Sequence, residues 1–206
     1  MNVQEAYEKG QFQEVIATLE KNPDVDHRVI LAFCYQKTKQ WEKAMECWNS
    51  LIVQFPSKAE FYNERGVCKF NLRFKHAIQD FDKAIELEPS NAYYYSCRAY
   101  IKDKTGDTEG SVKDYTKSLE LDPEDAIILN NLGLAEQKLG HTAKARAQFK
   151  KSDQVLGIET IDSREEANNR AGQSHTPQRA TLWSELKKMV SSKQGFMDFW
   201  KELTNP

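Results

Sequence analysis

Lys83-Ala84-Ile85-Glu86-Leu87-Glu88-Pro89 and Lys117-Ser118-Leu119-Glu120-Leu121-Asp122-Pro123 are near-identical phrases whose prolines stand 34 residues apart. A related phrase, Leu51-Ile52-Val53-Gln54-Phe55-Pro56, ends 33 residues upstream in the same way. Proline lacks the backbone N–H and crowds the turn before it, so each phrase reads as the last turn of an apolar helix followed by a stop. A period near 34 residues accommodates two helices and a turn. Such a pair cannot cover its own apolar face, so neighbouring pairs must stack. The period therefore predicts an all-α superhelix of stacked helix-turn-helix hairpins.

Outside these phrases the composition agrees. The chain has 206 residues, 39% hydrophobic and 29% charged, with a mean hydropathy of −0.73, which suits a thin repetitive core better than one thick globular core. This length leaves one extended domain or two small ones open. Lys+Arg number 29 against 31 Asp+Glu, a net charge of −2, which argues against a surface built to hold nucleic-acid phosphates. Cys34, Cys47, Cys68 and Cys97 show neither CxxC spacing nor the density of a disulfide scaffold, and read as reduced thiols. No basic stretch followed by an apolar run opens the chain, and no window approaches the length of a membrane span, so a cytoplasmic location is expected.

Small and large residues recur in phase. Leu129, Leu132 and Gly133 are followed by Ala145 and Phe149; Tyr62 and Gly66 by Ala77, Phe81, Ala84 and Pro89. Tyr95 and Ala99 precede Gly106, Ser111, Tyr115, Ser118 and Pro123, and Leu31, Ala32 and Tyr35 precede Trp41, Ala44, Trp48, Leu51 and Pro56. On these residues the chain resembles the tetratricopeptide repeat (TPR) family over residues 1 to about 157. Helices cross closely only where Gly, Ala or Ser leaves room for a large neighbour, so the small residues are sockets and the aromatics plugs. Tyr35, Trp48, Tyr62, Phe81, Tyr95, Tyr115 and Phe149 are assigned to the core on that basis.

The expected organisation is a short first unit at 1–24, repeats at about 25–58, 59–91, 92–125 and 126–157, a polar helix or linker at 158–181, and amphipathic aromatic helices at 182–206. The first unit, Val3 to Lys21, turns at Gly10 and Phe12 and ends early at Asn22-Pro23. Gly66 to Ala77 is one residue shorter than Ala99 to Ser111, which predicts a tight turn in the third unit. Gly157 replaces the proline of earlier units and reads as a helix C-cap that ends the array.

No constellation for catalysis is visible. His27, His76, His141 and His175 are scattered, without HxxxH or Cys/His clustering, and Gly106-Asp107-Thr108-Glu109-Gly110 lacks the phosphate-loop pattern. No enzyme activity, metal or cofactor is expected.

The resemblance implies that the first helix of each pair, helix A, lines a concave groove for a peptide or helix. The groove candidates are Val29, Phe33 and Gln36; Glu60, Asn63, Val67 and Phe70; Tyr93, Ser96, Tyr100 and Asp103; Ile127, Asn130, Leu134 and Gln137. Family members that grip acidic chaperone tails use Lys, Asn and Arg there. The matching places hold Val29, Phe33, Glu64, Tyr93 and Cys97, or, one repeat on, Asn63, Val67, Cys97, Ile127 and Asn131. That clamp is absent, and an acidic tail meets Glu60, Glu64 and Asp103. Apolar anchors of a partner helix suit this surface better, with Asn63, Ser96 and Asn130 fixing orientation. Phe33, Tyr93 and Tyr100 read equally well as contacts to an adjacent helix.

Beyond the polar stretch from Asp162 to Thr181, Leu182, Trp183, Leu186, Met189 and Val190 form one helical stripe and Phe196, Phe199, Trp200 and Leu203 another. Three roles stand open: a cap on the array; a ligand for the groove, in cis as autoinhibition or in trans as a homo-oligomer; or a membrane-surface helix. The third is disfavoured by 7 basic and 7 acidic residues from Ile158 to Pro206. The function expected is a protein-interaction scaffold for a protein or peptide partner, with an accessory subunit of an enzyme complex, or a membrane-surface adaptor, as alternatives.

Overall fold

A computed structural model describes residues 2–21 and 25–158. The polar stretch from residue 159 and the helices expected at 182–206 lie outside the described residues. Among those described, the secondary structure is all helical: α1 (Val3–Glu8), α2 (Phe12–Leu19), α3 (Val25–Lys37), α4 (Trp41–Gln54), α5 (Ala59–Asn71), α6 (Ala77–Leu87), α7 (Ala92–Lys104), α8 (Thr108–Leu121), α9 (Ala126–Lys138) and α10 (Thr142–Val155). The described residues divide into two compact units, one up to Lys102 and one from Asp103 onward.

One device turns helix A into helix B. In the first pair the Gln11 N–H donates to the Ala6 carbonyl, in the second Gln40 to Tyr35, in the third Phe74 to Lys69, and in the last His141 to Glu136, at 2.8 to 3.0 Å. These are the six-residue closures of a Schellman motif, which needs a left-handed residue just before the donor. Gly10 (φ 74°) and Gly140 (φ 79°) supply it without strain, but Lys39 (φ 61°) and Arg73 (φ 60°) supply it with a Cβ.

Unit 1 stacks through complementary volumes. A Cβ on Gly66 of α5 would lie 2.8 Å from Cε2 and 3.0 Å from Cζ of Phe81 on α6. Phe81, Trp48 and Phe61 are fully buried, and Phe33 meets Trp48 edge-on at 5.1 Å. Beside the Gly66 contact, buried Asp80 of α6 accepts from Arg65 Nε and Nη2 at 2.8 and 2.7 Å and from Lys69 at 2.9 Å.

The short spacing of the third unit acts differently from the expectation. The turn is not tight: α5 ends at Asn71 and α6 begins only at Ala77, whereas residues 38–40 suffice between α3 and α4. Ala77 opens α6, while its counterparts Ala44 and Ala145 sit one turn inside α4 and α10. The missing residue has unwound the first turn of helix B instead of shortening the loop, and leaves Phe74 53% exposed.

Tyr62 and Tyr95 also depart from a core role. Both are half-buried, and their hydroxyls donate to the carbonyls of Pro56 and Pro89 at 3.0 and 3.1 Å. Arg65 and Arg98 lie over these rings at 5.5 and 5.8 Å. Each tyrosine thus latches its helix to the turn before it. Tyr35, Trp48, Phe81 and Tyr115 are buried as expected, while Phe149 is half-buried.

Unit 2 repeats the scheme. Asp107 caps α8 through the Gly110 N–H at 2.9 Å, and Asp125 caps α9 through Ile127 and Ile128, each at 2.9 Å. A Cβ on Gly133 would fall 2.7 Å from Cδ1 of Phe149. The Ser152 hydroxyl donates to the Ala126 carbonyl at 2.8 Å, tying α10 to the start of α9.

Candidate functional site

The A helices α3, α5 and α7 of unit 1 bring their polar residues to one seam. Gln36 on α3 donates through Nε2 to Oε2 of Glu64 on α5 at 3.0 Å, and approaches the Glu64 carbonyl at 3.3 Å and Cys68 Sγ at 3.5 Å. Asn63 Nδ2 donates to the other carboxylate oxygen, Oε1, at 3.0 Å. From α7, buried Cys97 lies beside Tyr93, Asn63 and Ser96, and the Ser96 hydroxyl donates to the Tyr93 carbonyl at 2.8 Å.

Burial governs the electrostatics. Glu64 is 8% exposed and Asn63 fully buried. Loss of solvent raises the Glu64 carboxyl above its ordinary pKa, and the Gln36 and Asn63 amides, with the more distant Lys37 charge, pull part of that back. Tyr93 is raised well above its usual value, first by burial and then by the neighbouring Cys97 and Glu64. Burial pushes Cys34, Cys68 and Cys97 up to about 12 and Cys47 to about 11. All four thiols are unpaired and carry their protons near neutrality, so none is an activated nucleophile. Among the described residues no group of three or more His, Cys, Asp or Glu side chains is placed to hold a metal ion.

The groove candidates separate by unit and by exposure. In unit 1, Val29 and Phe33 are 3% and 5% exposed, with Phe33 against Trp48. Asn63 and Ser96 are buried in the seam. Val67, Phe70, Tyr93 and Tyr100 are half-buried around the cluster of Phe81, Cys97 and Ile101. In unit 2, α9 carries Ile127 half-buried, Asn130 buried and Leu134 41% exposed. The tail candidates Leu182, Trp183, Leu186, Met189, Phe196, Phe199, Trp200 and Leu203 lie outside the described residues.

Sequence reasoning treated Glu64 as a groove charge and missed that it is buried and tied to Gln36. The usable signal was periodic: Asn63, Val67 and Phe70 share one face of α5 at i, i+4 and i+7, and Glu64 adjoins that face. Among the described residues no helix is long and apolar enough to cross a membrane.

A tetratricopeptide repeat model matches residues 29–57 and a TPR repeat model matches residues 103–140. No curated protein matches. Among solved structures, a crystal structure of MamA is 22% identical, covering 82% of this chain and 98% of its own, with a TM-score of 0.65. A second MamA crystal structure is 23% identical over 85% of this chain and 94% of its own, with a TM-score of 0.63. MamA residues 41 to the end from Desulfovibrio magneticus RS-1 reach a TM-score of 0.67 at 15% identity, over 76% of this chain and 92% of theirs. At these identities the likeness is one of fold.

Proposed function

Because this chain is a tetratricopeptide-repeat protein, built on a module generally used for protein–protein interaction, we propose that it is a non-catalytic scaffold. In unit 1 the A helices offer a peptide or an amphipathic helix Val29, Phe33, Asn63, Val67, Phe70, Tyr93, Ser96 and Tyr100; in unit 2, taken by itself, α9 offers Ile127, Asn130 and Leu134. The observation that carries this reading is the pairing of half-buried Val67, Phe70, Tyr93 and Tyr100 with the buried polar groups of Asn63, Glu64 and Ser96. An apolar face that still shows area to solvent gains by covering it, at roughly 25 cal/mol per Å², and nearby polar groups give direction to the ligand.

The ligand favoured is the chain's own segment 182–206, in cis or in trans. It presents Leu182, Trp183, Leu186, Met189, Phe196, Phe199, Trp200 and Leu203 at helical spacing, which suits helix-in-groove recognition. An acidic chaperone tail is disfavoured by the Glu64 carboxylate.

The test is photo-crosslinking of the purified full chain with a photoreactive phenylalanine in place of Phe70 or Leu134, followed by mapping of the adducts. Adducts within residues 182–206, of the same or another molecule, support the reading. Adducts confined to the adjoining helices reduce these faces to internal packing and sink it.

A further inference from the structure

The buried acids of this fold are not treated alike. Asp80 has Arg65 at 2.7 Å and Lys69 at 2.9 Å. Glu136 has His141 within hydrogen-bond reach and Lys144 at 4.0 Å. Among the described residues Glu64, 8% exposed, has no ion pair: its two oxygens accept from the neutral amides of Gln36 and Asn63. Asn63 is fully buried, and its Oδ1 has no hydrogen-bond partner.

A carboxylate oxygen offers more than one lone pair, so each Glu64 oxygen retains an acceptor site beyond the amide it already holds. With Asn63 Oδ1, this makes three acceptors in one seam, held in orientation by Gln36 and by the Asn63 amide. An ammonium group has three N–H donors and no acceptor. A buried acid held by neutral amides, with only the more distant Lys37 charge to offset it, and an orphan carbonyl are both costly, and a cation is favoured beside either.

The sequence carries a matching key. Read as one helix, Leu182, Leu186, Met189, Lys193, Phe196, Trp200 and Leu203 follow alternating steps of four and three, a single stripe in which Lys193 is the one charge. A lone Lys in an apolar seam fixes register, because every other alignment leaves it buried against apolar groups.

We propose that Glu64 and Asn63 form a seat for one basic side chain presented from an apolar helix face, and that its occupant is segment 182–203 of this chain with Lys193 in the seat. This rests on the peptide-binding reading above and adds the register and charge that select the ligand.

The probe is a fluorophore-labelled peptide of residues 178–206, titrated by anisotropy into the full chain carrying Lys193→Glu, whose own segment no longer competes for the seat. The wild-type peptide is expected to bind saturably, a Lys193→Gln peptide about tenfold more weakly, and a Lys193→Arg peptide within about threefold of wild type. On the full chain carrying both Glu64→Gln and Lys193→Glu, the wild-type and Lys193→Gln peptides are expected to bind alike. Saturable binding that does not distinguish Lys193→Gln from wild type on the Glu64 chain overturns the seat and leaves the peptide-binding reading standing. No saturable binding of any peptide overturns both. The peptide variants leave the folded chain untouched, so the comparison holds whatever Glu64→Gln does to stability.

Discussion

Gly66→Ala adds one methyl group to the α5–α6 crossing, and the surrounding geometry sets its cost. The new Cβ would meet Phe81 Cε2 at 2.8 Å, Phe81 Cζ at 3.0 Å and Asp80 Cβ at 3.2 Å. Ordinary carbon contacts begin near 3.5 Å, so the ring must retreat by roughly 0.7 Å. Phe81 is fully buried, and Asp80 is held by Arg65 and Lys69, so neither neighbour gives way cheaply. An off-rotamer ring costs about 0.5–1.5 kcal/mol and overpacking typically about 1–3. Against this, replacing Gly by Ala inside a helix returns about 1 kcal/mol. The steric cost wins, and the expected net loss is about 2 kcal/mol, roughly 4–8 °C in melting temperature for a chain of this size. The assay is thermal and urea unfolding followed by circular dichroism. Phe81→Leu destabilises by itself, but the pair Gly66→Ala/Phe81→Leu should lose less than the sum of its singles, because the new methyl occupies vacated space. A Gly66→Ala chain as stable as wild type, or additive losses in the pair, would refute the socket assignment.

Four further outcomes follow from the same structure. Lys39→Gly and Arg73→Gly relieve a left-handed backbone and should each stabilise by about 0.5–1 kcal/mol, the residue of a strain of about 1–2 kcal/mol after glycine's added chain entropy; urea midpoints check this. Tyr62→Phe and Tyr95→Phe each remove a hydroxyl bond to a proline carbonyl and should each cost about 0.5–1.5 kcal/mol by the same measurement. Asp80→Asn leaves Arg65 and Lys69 without their shared carboxylate and should cost about 2–4 kcal/mol, seen as a lower midpoint with an unchanged urea slope. Glu64 has a raised folded pKa, so the folded chain holds its proton to higher pH than the unfolded chain does. Its contribution to stability falls as pH rises from the unfolded value of about 4.3 toward the raised folded one; Glu64→Gln should remove that slope from a pH series of unfolding curves.

What could be read from the sequence was volume and period. Gly66 with Phe81 and Gly133 with Phe149 were legible because the absence of a side chain on one helix and a ring on the next encode close approach in residue identity alone. The left-handed turn was only half legible: Gly10 and Gly140 announce it, while Lys39 and Arg73 adopt it under the pull of the same Schellman bonds and carry no local mark. Tyr62 and Tyr95 sat in phase with core residues, yet an amphipathic ring at the edge of a helix pair can keep its hydroxyl at the surface, and the proline carbonyl one turn back captured it. The late start of α6 was misread because a missing residue can shorten a loop or unwind a helix, and nothing in the spacing says which. Glu64 was the least legible. A carboxylate is ordinarily solvated, and its burial arises where α5 meets Gln36 of α3 and Tyr93 and Cys97 of α7, a convergence that no window of sequence contains.

Among the described residues the last helix, α10, differs from α6 in what it offers a following pair. On α6, Ile78 and Ile85 pack against the clusters that include Cys97, Ile101 and Tyr94 of α7, so these positions receive the following pair. Two repeats on, the same positions on α10 are Arg146 and Asp153, and Arg146 is exposed. An apolar helix laid there would bury a guanidinium and a carboxylate, whereas terminal repeats of a solenoid characteristically turn a polar face outward. On the reading proposed above, the stripe from Leu182 to Leu203 goes instead to the half-buried Val67, Phe70, Tyr93 and Tyr100 beside Glu64. Restoring the internal pattern with Arg146→Val and Asp153→Leu distinguishes the two destinations. If the end of α10 is polar by design, the double substitution exposes a new apolar face and should drive concentration-dependent association, visible as a rise in mass by light scattering. If the segment already caps α10, the same substitutions improve an existing contact, and the chain keeps its mass and melts higher.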